Sequence, residues 1–284
     1  TVYGESLTMV TDKDGNAAAP LLYEPAEVIS VYDSAYEKSY CRGTDWEIEG
    51  NIFRMLRGSA MPHFSEDELF SKEEMKGGCF ATPNGYIRFA EGSFFHTHQI
   101  SVTYKCKRGL WQGAKPEFAG KLLPKTLGKL KSGDKLKLVL FGDSISWGAN
   151  ASQRANAEPY QKPYAELLYE ALSLRYPGGI HFINNAIGGK DTVWGLKYLK
   201  PLVTEHKPDT VILAFGMNDG GKSPQEFCRN IEKMITDIRA ENADTEFILI
   251  ATSTPNPVLT DPRARFYANQ PLFGAELKKL ASAV

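Results

Sequence analysis

Apolar and polar positions alternate with a period of two in several short segments of the first 107 residues. These segments are 27–33, 45–55, 84–92 and 98–106. Such alternation is typical of antiparallel strands that bury one face. Within the second segment, Glu49-Gly50-Asn51 predicts a hairpin turn. We therefore predict a small β-sandwich domain of jelly-roll-like type over residues 1–107.

The pattern changes in the second half of the chain. Residues 108–134 are basic, rich in Gly and Pro and weakly periodic, which predicts a linker. Beyond it, apolar runs that predict strands alternate with amphipathic segments that predict helices. The predicted strands are 135–142, 180–186, 209–216 and 246–257. The first predicted helix is 163–176, and the second begins at about residue 192. The third begins at the capping box 223–226, and the fourth is 271–284. This alternation predicts a three-layer α/β/α domain over 135–284, with a parallel sheet and flavodoxin-like winding.

Polar clusters follow three of the predicted strands. They are the stretches 142–144, 184–189 and 216–219. Ligands bind outside the carboxyl ends of the strands in sheets of this kind, so the three clusters are expected at one binding edge. Each cluster alone is also explained as a turn or a helix cap. Their succession at strand ends favours a functional site.

The three clusters resemble the sequence blocks of the SGNH (GDSL-type) hydrolases. The first block is "GDSISWG" at 142–148, the second is represented by Gly189, and the third is Gly-x-Asn-Asp at 216–219. The resemblance covers residues 135–284. It implies a serine esterase. Nothing in the sequence resembles a phosphate-binding loop, a dinucleotide fingerprint or a metal cluster, so no cofactor and no metal are predicted.

The resemblance also implies a role for each matching residue. Ser144 would be the nucleophile that attacks an ester carbonyl. The backbone N–H groups of Ser144 and Gly189 and the side-chain amide of Asn218 would stabilise the resulting oxyanion. Four further residues would support the turns rather than react: Gly142, Asp143, Gly216 and Asp219.

The substrate class is suggested by a second resemblance. The stretches 110–130 and 142–152 resemble those of family members that carry an N-terminal β-domain, several of which remove acetyl groups from carbohydrates. This implies small acyl esters, above all carbohydrate O-acetyl groups, as substrates. Lipase or thioesterase activity of the same family is the alternative. Trp147 and Trp194 flank the first two blocks, where they could stack against a sugar or pack a helix against the sheet.

The general base is the missing part of this site. The family supplies it from an Asp-x-x-His block, and no Asp-x-x-His occurs in the 284 residues. We expect either that the chain is truncated and the block follows Val284, or that the chain is a non-catalytic carbohydrate-binding relative. Residues 254–266, with Asp261, are expected to form one wall of the pocket.

The five histidines are not expected to replace that block, unless the predicted β-domain folds over Ser144 and brings one of its own histidines there. His181 opens a predicted strand and His206 precedes one, so both are expected at the edge of the sheet opposite Ser144. His63, His96 and His98 belong to the predicted β-domain. His96 and His98 would share one face of a strand, a spacing that a metal could use, but no third ligand is evident and no metal site is predicted.

Composition narrows the range of partners. The chain has 33 basic and 34 acidic residues and a net charge of −1, which gives no reason to expect nucleic acid or a membrane surface as partner. No apolar run approaches the roughly 20 residues that a membrane-spanning helix needs. The spacing of the four cysteines predicts unpaired thiols, which favours a reducing, cytoplasmic compartment, although the chain does not begin with Met and a removed leader stays an alternative. Composition leaves the oligomeric state open.

Overall fold

The computed structural model of this chain describes residues 1–113, 117–254 and 269–283. The chain forms two compact units. The first unit comprises Thr1–Pro116 and Asn150–Gln161, and the second comprises Glu117–Ala149 and Lys162–Val284. Among the described residues, no helix has the length and apolar character needed to span a membrane.

The first unit consists of short strands. They are β1 (Val2–Thr8), β2 (Val10–Thr11), β3 (Ala17–Pro20), β4 (Pro25–Asp33), β5 (Trp46–Glu49), β6 (Ile52–Met55), β7 (Phe64–Ser65), β8 (Phe70–Ser71), β9 (Cys79–Thr82), β10 (Gly85–Arg88) and β11 (Gln99–Cys106), with one helical turn, α1 (Glu66–Leu69). Two antiparallel sheets, β1-β11-β4 and β3-β6-β5, bury side chains such as Val31, Phe53 and Tyr104 in one shared core. This is the predicted β-sandwich. The predicted hairpin joins β5 to β6, with Glu49 opposite Ile52.

Two smaller sheets complete this unit. The strands β8, β10 and β9 form an antiparallel sheet, and β2 pairs with β7 in parallel.

The core of the β-sandwich also holds a polar contact at Tyr104. The Tyr104 hydroxyl donates to Glu5 Oε2 at 2.6 Å and accepts from the Tyr23 backbone N–H at 3.2 Å. A buried hydroxyl without such partners would be costly, so these bonds allow Tyr104 to be fully buried.

The second unit is built around one four-stranded parallel sheet. Its strands are β12 (Leu136–Gly142), β13 (Ile180–Asn184), β14 (Thr210–Ala214) and β15 (Glu246–Leu249), in the order β13-β12-β14-β15. Its helices are α2 (Pro124–Ser132), α3 (Ser144–Trp147), α4 (Tyr164–Arg175), α5 (Thr192–Leu202), α6 (Pro224–Glu241) and α7 (Gln270–Ala283). The first strand of this unit, β12, therefore lies inside the sheet, as in a flavodoxin-like winding.

Both faces of this sheet are apolar because both are covered by helices. Val139 and Phe141 point to one face, where they share a core with α5, α6 and α7. Leu138 and Leu140 point to the other face, where they share a core with α4. The continuous apolar runs in the sequence follow from this two-sided burial, and the predicted α/β/α architecture is confirmed.

The structure differs from the predicted linker over 108–134. Residues 117–134 of the predicted linker belong to the second unit, and they include α2. The helix is held by charge and hydrogen bonding. Lys129 Nζ lies 2.7 Å from Asp209 Oδ1, and Lys125 Nζ pairs with Asp244. The Lys125 backbone N–H also donates to Glu246 Oε1 at 2.9 Å. Its basic character therefore reflects acidic partners distant in sequence, which composition alone does not show.

A second difference concerns residues 150–161. The prediction assigned them to the α/β domain, but they belong to the first unit. The His-Thr-His stretch also differs, because His96–His98 forms a 3-10 turn before β11 rather than part of a strand. The two imidazoles therefore do not share a strand face. The ring of His98 stacks on Phe64, with centroids 4.3 Å apart.

Candidate active site

The three polar clusters predicted from the sequence lie together at the carboxyl edge of the parallel sheet. Hydrogen bonds link the first cluster to each of the other two, and a further bond links Asn218 to Lys190, the residue after the second cluster. They run from the Ile187 N–H to the Gly142 carbonyl (3.1 Å), from the Met217 N–H to Asp143 Oδ2 (3.3 Å) and from Asn218 Nδ2 to the Lys190 carbonyl (3.0 Å). The loops after β12, β13 and β14 thus hold one another in place.

The first cluster begins where β12 ends. A Cβ atom at Gly142 would lie 2.4 Å from the Ala214 carbonyl oxygen, so only glycine allows β12 and β14 to approach this closely here. Asp143 caps the next helix, because its Oδ1 accepts from the Ile145 N–H at 3.0 Å. Ser144 is then the first residue of α3 and is half-buried at this edge.

The second cluster passes beside that serine. A Cβ atom at Gly188 would lie 3.8 Å from Ser144 Cβ, which is ordinary van der Waals contact. Gly189 has a φ of +73°, a left-handed backbone conformation that residues with a side chain rarely adopt. The geometry of this loop next to Ser144 therefore depends on glycine.

The third cluster follows β14. The Asp219 N–H donates to the Gly216 carbonyl at 3.2 Å, which closes a turn. Half-buried Asn218 uses one amide N–H to reach the Lys190 carbonyl, in the residue next to Gly189. A side-chain amide carries two N–H groups, so this bond commits only one of them.

Asp219 anchors this cluster to the N-terminus of α5. It is fully buried, and its carboxylate accepts from the Thr192 N–H at 3.1 Å and from the Thr192 hydroxyl at 2.5 Å. Lys222 Nζ lies 3.3 Å from Asp219 and 2.7 Å from Asp191. We call Asp191, Thr192, Asp219 and Lys222 the Lys222 cluster. Asn230 extends it, donating to the Thr192 hydroxyl at 2.9 Å.

Electrostatic effects follow from this burial. Burial raises the pKa of Asp219, although hydrogen bonds from Thr192 and the Lys222 charge oppose the change. Burial likewise raises the pKa of Asp143. Burial acts to lower the pKa of Lys222, but the carboxylates of Asp191 and Asp219 outweigh it and raise that pKa. Burial acts to raise the pKa of Asp191, but the hydrogen bond from Lys222 and its charge outweigh burial and lower that pKa.

Comparison with known protein families identifies this arrangement. Residues 140–284, just over half of the chain, match the model of the GDSL-like lipase/acylhydrolase family. The chain belongs to this family. The match includes all three clusters.

Individual relatives cover less of the chain. An arylesterase of Vibrio mimicus is 34% identical over 116 residues, which are 40% of this chain and 54% of that protein. The esterase TesA of Pseudomonas aeruginosa is 34% identical over 110 residues, or 37% of this chain and 50% of that protein. This chain thus spans about half the length of these relatives. Among solved structures, a two-domain esterase active on acetylated mannans is 25% identical with a TM-score of 0.39, covering 46% of this chain and 33% of that one.

The unit that contains Ser144 has two of the five histidines of this GDSL-family chain, His181 and His206. His181 is the second residue of β13, and His206 ends a 3-10 turn before β14, so both lie at the amino-terminal ends of strands. Across the described ranges, no group of three or more His, Cys, Asp or Glu residues could hold a metal ion. Residues 255–268, which include Asp261, lie outside the described residues.

The two tryptophans differ in their surroundings. Trp194 packs on the core of the second unit, with its ring centroid 5.7 Å from Phe141 and 5.0 Å from Tyr198. This favours the packing alternative for Trp194. Trp147 is 44% exposed on α3, three residues after Ser144, and its side chain is accessible to a ligand.

A cavity of about 310 Å³ opens beside α3. It is lined by Asp143, Ile145, Ser146, Tyr164, Ala214, Phe215 and residues 250–253. Ser146 and Tyr164 share a hydrogen bond of 2.7 Å there. Burial raises the pKa of Tyr164, so its hydroxyl keeps its proton at neutral pH.

Two supporting residues were not predicted from the sequence. Lys222 holds the Lys222 cluster together, and its position three residues after Asp219 was the only local signal. Gln270 is buried at the start of α7, and its amide donates to the carbonyls of Gly216 (3.3 Å) and Met217 (2.7 Å). Nothing in the local sequence indicated this contact, because it joins residues more than 50 positions apart.

Proposed function

We propose that this chain is a serine esterase in which Ser144 is the nucleophile. The observation that carries the proposal is the position of Ser144. It begins a helix directly after an inner strand of the parallel sheet, and the glycine loop at 188–189 passes beside it. Membership in the GDSL-like lipase/acylhydrolase family supports the same reaction class.

In the proposed reaction, Ser144 Oγ attacks the carbonyl carbon of an ester and loses its proton to a base. The tetrahedral intermediate collapses, and the alcohol leaves after taking up a proton. Water then attacks the acyl-serine and releases the acid, which restores the hydroxyl. The oxyanion would be stabilised by the N–H groups of Ser144 and Gly189 and by the Asn218 amide. Losing one such donor typically costs on the order of 100-fold or more in turnover.

We propose small acyl esters, above all O-acetyl groups on carbohydrates, as substrates. The acetyl-carbohydrate part rests on the resemblance of 110–130 and 142–152 to two-domain members of the family. A series of 4-nitrophenyl esters tests it, because a site adapted to acetyl should hydrolyse the acetate faster than the octanoate. A preference for octanoate would instead favour lipase or thioesterase activity.

The base is left unassigned, since no Asp-x-x-His occurs in the 284 residues. This observation favours a second candidate function, a non-catalytic protein that binds carbohydrate. The two functions differ in whether Ser144 is reactive. A fluorophosphonate reagent, which forms a covalent bond with activated serines, distinguishes them.

The decisive experiment compares the unmodified chain with two variants. Ser144→Ala should abolish fluorophosphonate labelling and reduce hydrolysis of 4-nitrophenyl acetate to the background rate measured without protein. Ser146→Ala, which lies on the same helix, should retain labelling. Activity unchanged in Ser144→Ala would overturn the assignment of the nucleophile. An unmodified chain that is folded but neither hydrolyses the ester nor becomes labelled would favour the binding function.

A further inference from the structure

The first unit contains a cavity of about 430 Å³ that has no role in the proposed reaction. All of its walls belong to this unit. They are the segment 33–40 after β4, residues 60 and 62, the turn at 93–97, and the segment 156–160. The volume falls within the range of about 300–1,000 Å³ that is usual for small-molecule sites.

The walls carry groups of mixed charge and hydrogen-bonding type. Asp33 and Glu158 supply carboxylates, and Lys38 supplies an ammonium group. The remaining polar side chains include two phenols, at Tyr40 and Tyr160. A carboxylate only accepts hydrogen bonds, an ammonium only donates them, and a hydroxyl does both. The cavity therefore suits a ligand that carries many donors and acceptors.

Both phenols keep their protons at neutral pH and can donate. Burial, together with the carboxylates of Asp33 and Asp45, raises the pKa of Tyr40. The neighbouring carboxylate of Glu158 raises the pKa of Tyr160. A tyrosine also presents a large apolar ring face beside its hydroxyl, which allows it to pack on one side of a ligand ring.

Hydrogen bonds hold the cavity walls in place. The Ser34 hydroxyl donates to the His96 carbonyl, and His96 Nε2 lies 2.8 Å from the Asn150 carbonyl oxygen. Asp33 Oδ1 accepts from the Glu37 N–H at 2.9 Å, which closes the turn after β4. In the segment 156–160, the Tyr160 N–H donates to the Ala157 carbonyl at 2.9 Å. The segments 33–40, 93–97 and 156–160 are thus preorganised, and a ligand would not have to order them on binding.

The backbone around the cavity is strained. Tyr36, Asn156 and Tyr160 have φ values of 61°, 52° and 55°, in the left-handed region. Tyrosine is rarely found there, because its side chain crowds the backbone. Strain of this kind persists only where surrounding structure maintains it, and it is concentrated at binding and catalytic sites.

We propose that this cavity binds a neutral oligosaccharide. The carboxylates of Asp33 and Glu158 would repel an anionic ligand, and Lys38 would repel a cationic one. Sugar hydroxyls match the mixed donors and acceptors, and the half-exposed ring of Tyr160 offers a face for stacking. The residues that line the cavity belong to the first unit and Ser144 belongs to the second, and the proposed binding does not depend on ester hydrolysis.

Isothermal titration calorimetry with the full chain tests this proposal. The probes are mannopentaose, xylopentaose and cellopentaose, with hexagalacturonate as an anionic comparison. At least one neutral pentaose should bind with a Kd below about 1 mM, the weak end of the usual affinity scale. Hexagalacturonate should bind at least tenfold more weakly. Failure of all three neutral probes to bind, or tighter binding of hexagalacturonate, would overturn the proposal.

Variants locate the binding site. Tyr160→Asn removes the ring while keeping a residue that tolerates the left-handed backbone, and should weaken binding at least tenfold. Glu158→Gln should weaken it at least threefold. Tyr3→Ala is the matched control, because Tyr3 is an exposed tyrosine of the same unit outside the cavity, and it should leave Kd unchanged.

One further variant separates this site from the proposed active site. Ser144→Ala should leave pentaose binding unchanged. If Ser144→Ala abolished binding and Tyr160→Asn did not, the saccharide would be bound at the serine and the proposal would be wrong. Because the measurement needs no turnover, its outcome is independent of whether the chain hydrolyses esters.

Discussion

Replacing Lys222 with methionine would remove the only cation of the Lys222 cluster while keeping a side chain of similar length. In the native chain, Lys222 Nζ lies 2.7 Å from Asp191 and 3.3 Å from Asp219. Asp219 is fully buried, whereas the Asp191 side chain is 31% exposed. The substitution would therefore leave one carboxylate buried without a counter-charge.

The expected loss of stability follows from these distances. Two unit charges 3.3 Å apart attract by about 5 kcal/mol at an effective dielectric constant of about 20. Part of this is offset in the native protein by the cost of taking Lys222 out of water. Breaking a fully buried ion pair costs about 3–5 kcal/mol. Since Thr192 still donates to Asp219, and Asp191 is partly hydrated, we expect Lys222→Met to lower the free energy of unfolding by about 2–4 kcal/mol.

The loss should depend on pH. Without Lys222, burial would raise the pKa of Asp219 further above its unfolded value. Lowering the pH then protonates Asp219 and removes the uncompensated charge. The contribution of Asp191, whose pKa is lowered, is present above the unfolded pKa of this group and is lost only as the pH falls below that value through the lowered folded pKa, so it changes little between pH 7 and pH 4. Protonation of Asp219 therefore dominates, and the difference in stability between variant and native chain should shrink from pH 7 to pH 4.

Urea denaturation at pH 7 and at pH 4, followed by circular dichroism, measures both quantities. The control is Lys233→Met on α6, which removes an exposed pair with Asp237 (2.9 Å) and should cost less than about 0.5 kcal/mol. The double variant Asp219→Asn/Lys222→Met should recover stability relative to Lys222→Met, because no buried charge is left. A loss below that of the control, or a loss that grows as pH falls, would refute this reasoning.

Two further substitutions test the first cluster. Gly142→Ala should lower the free energy of unfolding by about 1–3 kcal/mol, because its Cβ would overlap the Ala214 carbonyl oxygen; a thermal melt equal to that of the native chain would contradict this. Asp143→Asn should lower the free energy of unfolding by about 1–3 kcal/mol at pH 7. The two carboxylate oxygens of Asp143 now accept hydrogen bonds from the Ile145 and Met217 N–H groups, and in the variant an amide NH₂ would face one of these donors. Urea denaturation checks it, and an unchanged midpoint would show that these hydrogen bonds do not hold the turn.

Several elements were predictable because their signals are local. The capping box at 223–226 places Ser223 before α6, where its hydroxyl accepts from the Glu226 N–H at 3.1 Å. The turn at Gly50 and Asn51 joins β5 to β6 as expected. The apolar runs of the parallel sheet followed from burial on both faces, which requires no knowledge of the partner strands.

Other features depend on residues that are far apart in the chain. The side chains of Lys129 and Lys125 on α2 pair with Asp209 and Asp244, so a basic segment that indicated a linker is a docked helix. His96 and His98 occupy a turn, because their rings contact the Asn150 carbonyl and Phe64 rather than a strand neighbour. Periodicity reports whether a position is buried, but not which group buries it.

The candidate site also combines features set by the local sequence with features set by contacts between distant residues. The sequence by itself determined that Gly142, Asp143 and Ser144 follow one strand and that Asn218 and Asp219 follow another, since strand ends are set by local pattern. Only the tertiary structure decided that Lys222 neutralises the buried carboxylate of Asp219, and that the segments 33–40, 93–97 and 156–160 surround one cavity. The physical reason is that hydrogen bonds and ion pairs form between side chains that packing brings together, and distance along the chain does not limit which ones meet.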